Sequence, residues 1–331
     1  MLDPNLLLLI TTIVLALAYA YATGLNDAAN AIATVVSTRV LSPMAAVAMG
    51  GVMNLVGALT GTAVAKTIGK GIVDPEYMSQ IAVLSAIFAA VVWVIAATRF
   101  GFTVSVSHSL VAGVLGAGIA TAGISRVNDA VITKVLLALA FSPFLGFLGA
   151  FILMVIIYWV FRIWSLPTVN SVFSKLQILS AALLSYSHGK NDAQNAIGIM
   201  ALGCAIYYSR ELTIEPWMQI SAGLAIGIGT AMGGWRVIRT LGSRITRLEP
   251  TSGFAANIAA SAVIEAASNI GLPVSTTHTA SSAIVGVGAT RGLSNVSFNV
   301  IRGILGGWFI TYPVCLGLGW FFTKVLESVI G

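Results

Sequence analysis

Uncharged apolar runs recur along the chain at residues 6–22, 45–65, 81–98, 135–161, 216–235 and 304–323. Each is close to the ~20 residues that an α-helix needs to cross a bilayer. Lipid offers backbone amides no partners, so a spanning segment must be a helix or part of a closed barrel, and these runs lack the period-two alternation of barrel strands. The pattern therefore predicts an all-α polytopic membrane protein. The opening segment, MLDPNLLLL, has no basic stretch ahead of its apolar run, which predicts a retained first helix and not a cleaved signal peptide.

The text repeats itself. GLNDAANAI at 24–32 returns as GKNDAQNAI at 189–197, with seven of nine positions identical, and GFTVSVSHS at 101–109 returns as GLPVSTTHT at 271–279. A weaker match, KTIGKGI at 66–72 with RTLGSRI at 239–245, lies between them, and the three offsets are 165, 170 and 173 residues. A near-constant offset over three ordered matches means duplication of one unit. The interruption SLPTVN at 165–170 puts the boundary between repeats at 1–165 and 166–331. Charge supports opposite orientations: Arg236, Arg239, Arg244 and Arg247 face one acid, Glu249, in the second repeat, whereas Lys66 and Lys70 are balanced by Asp74 and Glu76 in the first. Positive-inside reasoning then holds the second loop in the cytoplasm and leaves the first free to face outward.

Composition agrees with the pattern. The chain is 57% hydrophobic and 8% charged, against about 25% charged for an ordinary soluble domain. Its net charge of +6 is spread over short connections, so it carries topology and not a nucleic-acid footprint. Cys204 and Cys315 sit far apart in apolar text, where small buried hydrophobes are expected and neither a disulfide nor a metal site is.

Against this background a few polar positions stand out. Asp27 and Asp192 lie in apolar text between Asn26 and Asn30 and between Asn191 and Asn195, and a charge at such depth needs a partner or a role. Gly24 and Gly189 precede them, so each helix is expected to break there and expose carbonyls. Carboxylate, amide oxygen and carbonyl together make a hard-cation ligand set. Capping of a kinked helix would explain one copy, but both copies keep Gly, Asn, Asp and Asn while their neighbours vary.

The second pair supplies neutral donors: Ser105, Ser107, His108 and Ser109, then Ser275, Thr276, Thr277, His278 and Thr279. Each cluster splits an apolar stretch into two pieces, which predicts a re-entrant hairpin with its tip buried in protein. A helix starting after each cluster would aim free amides and a positive dipole end at that tip, an anion cradle. Pro273 suits an extended tip. The simpler reading is that these Ser and Thr residues cap helices and that His108 and His278 are satisfied core histidines. Lys190 is the one fixed cation within either repeated motif, so an oxyanion near two carboxylates needs bound cations, and ion and substrate should each raise the other's affinity. Glu265, in the apolar run before the second tip, is a further cation- or proton-ligand candidate.

At these residues the chain resembles the inorganic phosphate transporter (PiT) family, whose repeated Gly-x-Asn-Asp-Ala/Val-x-Asn-Ala element matches GLNDAANAIAT and SHGKNDAQNAIGI, with similar tips in VSVSHS and PVSTTHT. The resemblance implies two inverted repeats, each with a broken helix and a re-entrant hairpin. It also implies a homodimer in the plasma membrane and uptake of inorganic phosphate with sodium ions or protons, with no other cofactor. By it, cation and substrate ligation fall on Asn26, Asp27, Asn30, Asn191, Asp192 and Asn195, and phosphate contacts on Ser105, Ser107, Ser275, Thr276 and Thr277. Many relatives carry Lys at the position of Asn195 and a small residue at that of Lys190, and some carry sulfate, so coupling ion and preferred anion stay open. Two readings from other classes compete: an intramembrane aspartyl protease using Asp27 and Asp192 as a dyad, and a passive anion channel.

Overall fold

The computed structural model describes residues 3–100, 104–233, 242 and 245–330. Eleven α-helices are described: α1 (Pro4–Ser37), α2 (Pro43–Ala58), α3 (Ala63–Lys70), α4 (Gln80–Phe100), α5 (Val106–Ala122), α6 (Asp129–Val160), α7 (Leu166–Tyr207), α8 (Pro216–Met232), α9 (Pro250–Asn269), α10 (Thr276–Ala289) and α11 (Phe298–Ile330). Among the described residues there is no strand. Starts are written in the sequence: Asp3, Ser42, Glu215 and Glu249 stand at the N-cap with Pro as the first helical residue, and Ser165 caps α7 with Pro167 as its second. These residues occupy the helix positions that suit them, because a proline there gives up an amide the helix could not pair.

The element order of the first half returns in the second. A long helix bearing the repeated motif (α1, α7) is followed by a shorter one (α2, α8) and a helix–tip–helix hairpin (α4–α5, α9–α10). A three-residue 3-10 turn comes next (Ile124–Arg126, Leu293–Asn295), then a long helix with an internal proline, Pro143 in α6 and Pro313 in α11. The second copy of the weak third match, apart from Gly242 and Ile245, lies outside the described residues, as do Arg236, Arg239 and Arg244, and Gly101 to Thr103 of the first tip.

Four described helices, α1, α4, α6 and α11, are long and apolar enough to cross a membrane. Large apolar side chains such as Phe141, Phe144, Ile152 and Trp159 on α6 and Phe309 and Phe321 on α11 are exposed, as a lipid-facing surface requires. The run at 45–65 is not one straight span: α2 and α3 meet at 69°. Gly61 takes φ +109° between Thr60 and Thr62, a conformation open to glycine and costly for other residues.

The longest helix, α7, has 42 residues, roughly 60 Å at 1.5 Å per residue. No long apolar run announces it. Its middle, from Ser187 to Ala205, is buried all round except at Lys190. It is polar there because it faces protein and not lipid.

The expected helix breaks do not occur: α1 and α7 run unbroken through Gly24 and Gly189. Both glycines instead let two backbones touch. A Cβ on Gly24 would lie 2.2 Å from the Ile226 carbonyl oxygen of α8, and one on Gly189 would lie 2.2 Å from the Asn54 carbonyl oxygen of α2. The same reciprocity relates Gly57 against Tyr186 O to Gly229 against Tyr21 O, both at 2.1 Å. Each motif helix thus crosses the short helix of the other half at backbone contact.

Candidate functional site

Four elements converge at the centre, the middles of α1 and α7 and the starts of α5 and α10. The two tips are built alike. Ser105 Oγ accepts from the His108 amide and Ser275 Oγ from the His278 amide, both at 3.2 Å, so these serines are N-caps, as the simpler reading had it. The helices start inside the clusters and not after them: Ser107, His108 and Ser109, and Thr276 to Thr279, form the first turns behind the caps Ser105 and Ser275, because each capping serine lets the helix begin at the next residue, and Pro273 lies in the non-helical stretch before Ser275. The first-turn amides, at Val106 and Ser107 and at Thr276 and Thr277, are those an α-helix cannot pair for itself.

The motif side chains form matched bonds. Asn26 Nδ2 donates to Thr98 Oγ1 at 2.7 Å on the first hairpin, and Asn191 Oδ1 accepts from Ser268 Oγ at 3.1 Å on the second. Two further bonds cross between halves: Asn30 Nδ2 donates to Thr277 Oγ1 at 2.8 Å, and Asn195 Nδ2 donates to Ser107 Oγ at 3.1 Å. Thr277 Oγ1 donates in turn to Asp27 Oδ1 at 2.9 Å, while Thr276 Oγ1 donates to Asp192 Oδ2 at 2.8 Å. Asn191 Nδ2 donates to Asp192 Oδ1 and to the Val274 carbonyl. Asp27, Asp192 and all four asparagines are at most 2% exposed.

One residue at the centre was not anticipated. His188 Nε2 lies 3.0 Å from Asp192 Oδ2 and 4.0 Å from Asp27 Oδ2, and ligand atoms of the three side chains all fall within 4.8 Å of one another. Its tautomer follows from its neighbours. Thr230 Oγ1 donates to the Ile226 carbonyl and accepts from Asn54 Nδ2, so Asn54 presents Oδ1 to His188 Nδ1 at 2.8 Å. Nδ1 therefore carries the proton, and Nε2 beside two carboxylates is attractive only with a second proton or a cation there. The available signal was spacing: His188 and Asp192 are four apart on one helix face. The repeat hid it, since the corresponding residue of the first half is Thr23.

Among the described residues, three acceptors of this network have no hydrogen-bond donor: Oδ1 of Asn26, of Asn30 and of Asn195. Like the carboxylates of Asp27 and Asp192, which lie close together beside His188, they are buried hard oxygen atoms of the type that a hard cation takes. The oxygens come from side chains and not from backbone freed by a break.

Other candidates are placed differently. Glu265 Oε2 pairs with Lys190 Nζ at 2.7 Å, and Asn269 Oδ1 takes a second bond from the same ammonium. The motif's one cation is thereby paired, and Glu265 answers this ammonium instead of joining the ligands around Asp27 and Asp192. His108 and His278 meet ring to ring, centroids 4.6 Å apart, and His278 also stacks on Trp308 at 3.6 Å.

The sequence model described as "Phosphate transporter family" matches residues 23–319. A Bacillus subtilis protein named "Probable low-affinity inorganic phosphate transporter" is 41% identical over 321 residues, 96% of each chain. A Rhizobium meliloti protein of the same name is 41% identical over 309 residues, 92% of each. A solved structure described as "The sodium-dependent phosphate transporter" matches with a TM-score of 0.91 and 27% identity, over 98% of this chain and 100% of that one. The protein belongs to the phosphate transporter family.

Proposed function

We propose that the protein takes up inorganic phosphate across the plasma membrane by symport with sodium ions, through alternating access. The observation that carries this is the pair of buried carboxylates, Asp27 and Asp192, close enough together to share one ion, on helices whose motif asparagines offer three buried amide oxygens with no donor among the described residues. An unsatisfied buried acceptor costs about 1–3 kcal/mol, and a cation that is hard and sheds its water, such as sodium, relieves several at once. Asn26, Asp27, Asn30, Asp192 and Asn195 are the proposed ion ligands. Asn191 contributes mainly by fixing Asp192 and the second tip, since its own oxygen already accepts from Ser268.

Phosphate would sit at the two helix starts, held by first-turn amides and the hydroxyls of Ser107, Thr276 and Thr277. Ser105 and Ser275 hold the tips in shape, and His108 and His278 wall the site. Asp27, His188 and Asp192 are at most 1% exposed, as an occluded carrier state requires. The sodium dependence named for the structural match supports sodium over protons. The reciprocal contacts between halves support repeats at 1–165 and 166–331 of opposite orientation, and the same reading includes assembly as a homodimer.

Uptake of labelled phosphate into proteoliposomes under imposed sodium or pH gradients tests the proposal. Uptake that ignores both gradients defeats coupling, uptake of sulfate without phosphate defeats the substrate, and currents far beyond carrier turnover favour a channel. Linkage gives a second expected outcome: sodium and phosphate together should raise the melting temperature by more than the two separate shifts combined. Each ligand at a hundred times its Kd contributes about 2.7 kcal/mol, and strictly additive shifts would count against a shared site. Thr277→Val should lower uptake more than Ser107→Ala, because Thr277 bonds both Asp27 and Asn30 whereas Ser107 meets Asn195. As a transporter the protein is not an enzyme, so Asp27 and Asp192 are not a proteolytic dyad.

A further inference from the structure

Away from the centre, the two halves part company on the outer side of α6 and α9. In the first half, Trp93 on α4 donates from Nε1 to Thr311 Oγ1 on α11 at 3.0 Å. By the 170-residue spacing of the two tips, the counterpart of Trp93 is Val263 and that of Val92 is Ala262. Gly116 meets the Leu316 carbonyl and Gly286 the Phe147 carbonyl, and the internal prolines are Pro143 and Pro313; these spacings of 169 and 170 along the long helices set Thr311 opposite Ser142 and its neighbour Phe141. Where the first half inserts an indole, the second has an apolar groove of about 500 Å³ between α6 and α9, with Ser142, Ala262 and Val263 in its lining.

The chemistry of the groove narrows its occupant. Ser142 is the one polar side chain lining it, and its hydroxyl already bonds the Leu139 carbonyl. Nothing there would hold a headgroup, a phosphate or a polar peptide. Phe141, Leu145 and Ile270 beside it are 55%, 48% and 72% exposed, so it opens on the surface that faces lipid. At its inner end it reaches Val274, whose carbonyl accepts from Asn191 Nδ2 at 3.0 Å.

We propose that this groove holds one acyl chain of a bilayer phospholipid, which stands in the second half where the Trp93 indole stands in the first and supports the second tip at Val274. Hydrocarbon fills an apolar slot without desolvating any polar group. The groove, unlike its counterpart, is then a lipid site on an otherwise paired scaffold.

The test reconstitutes the full chain in liposomes containing phosphatidylcholine with a photoactivatable diazirine in its acyl chain and maps adducts by mass spectrometry. Adducts are expected to concentrate in peptides spanning 138–152 and 262–274, above the level on the exposed face of α11. They should be lost in Val263→Trp, which restores the missing indole, and in the smaller filling Ala266→Leu. Labelling spread evenly over the lipid-facing helices, or unchanged by both substitutions, would overturn the proposal. So would labelling that appears only when a dimer is converted to a monomer, since the occupant of the groove would then be a second copy. Phosphate movement is not read, so this outcome is independent of the transport proposal.

Discussion

Asp27→Asn and Asp192→Asn should each abolish gradient-driven phosphate uptake while the protein stays folded and monodisperse. Both substitutions keep shape and remove charge. Asp27 is the cleaner case: its Oδ1 accepts from Thr277 and its Oδ2 stands 4.0 Å from His188 Nε2, so an amide turned with its oxygen toward Thr277 retains that bond. Asp192 accepts from Asn191, Thr276 and faces His188 at 3.0 Å, and an amide there forfeits one of those bonds. Removing one partner of a buried charge pair costs about 3–5 kcal/mol, which corresponds to roughly two to four powers of ten in ion affinity. Proteoliposome uptake with a size-exclusion profile checks both parts. Unchanged uptake in both variants would remove the carboxylates from the mechanism.

The second large effect concerns packing. Gly189→Ala should cost the protein its fold or much of its thermal stability, although alanine is the better helix former by about 1 kcal/mol. The new methyl would meet Asn54 backbone atoms at 2.2, 2.5 and 2.7 Å, and backbone cannot rotate out of the way. Forcing atoms into a filled interior costs about 1–3 kcal/mol and sometimes more. Moving α2 from α7 also pulls Asn54 from His188. Gly24→Ala should act alike through Ile226 and Thr230. Gly303→Ala and Gly317→Ala, with no atom within 4 Å of the added carbon, are the controls and should be neutral or slightly stabilising. A Gly189→Ala protein melting with the wild type would show that the glycine is not needed for close approach.

Much of this was readable from residues. The apolar runs located the lipid-facing helices because those helices have nothing polar to bury, and the doubled motif pointed to the candidate site because a duplicated Asp between asparagines has few structural excuses. Three features escaped. The shaft α7 carries serine, histidine, asparagine and aspartate along buried faces, so a search for hydrophobic stretches passes over it. Gly24 and Gly189 read as breaks because a glycine in isolation signals backbone freedom, whereas its lack of a side chain matters only once a second helix is known to lie against it. His188 escaped because the repeat has no matching histidine, and Asn54 and Thr230, which fix its tautomer, are far from it in the chain.

The crossed bonds of Asn30 with Thr277 and Asn195 with Ser107 bear on how the chain is held together. On the proposed division, the amide of each unit is answered by a hydroxyl of the other, so the two clasp each other whether or not a peptide bond joins them. Two fragments produced side by side, parted just ahead of Leu166, should still assemble into a working carrier.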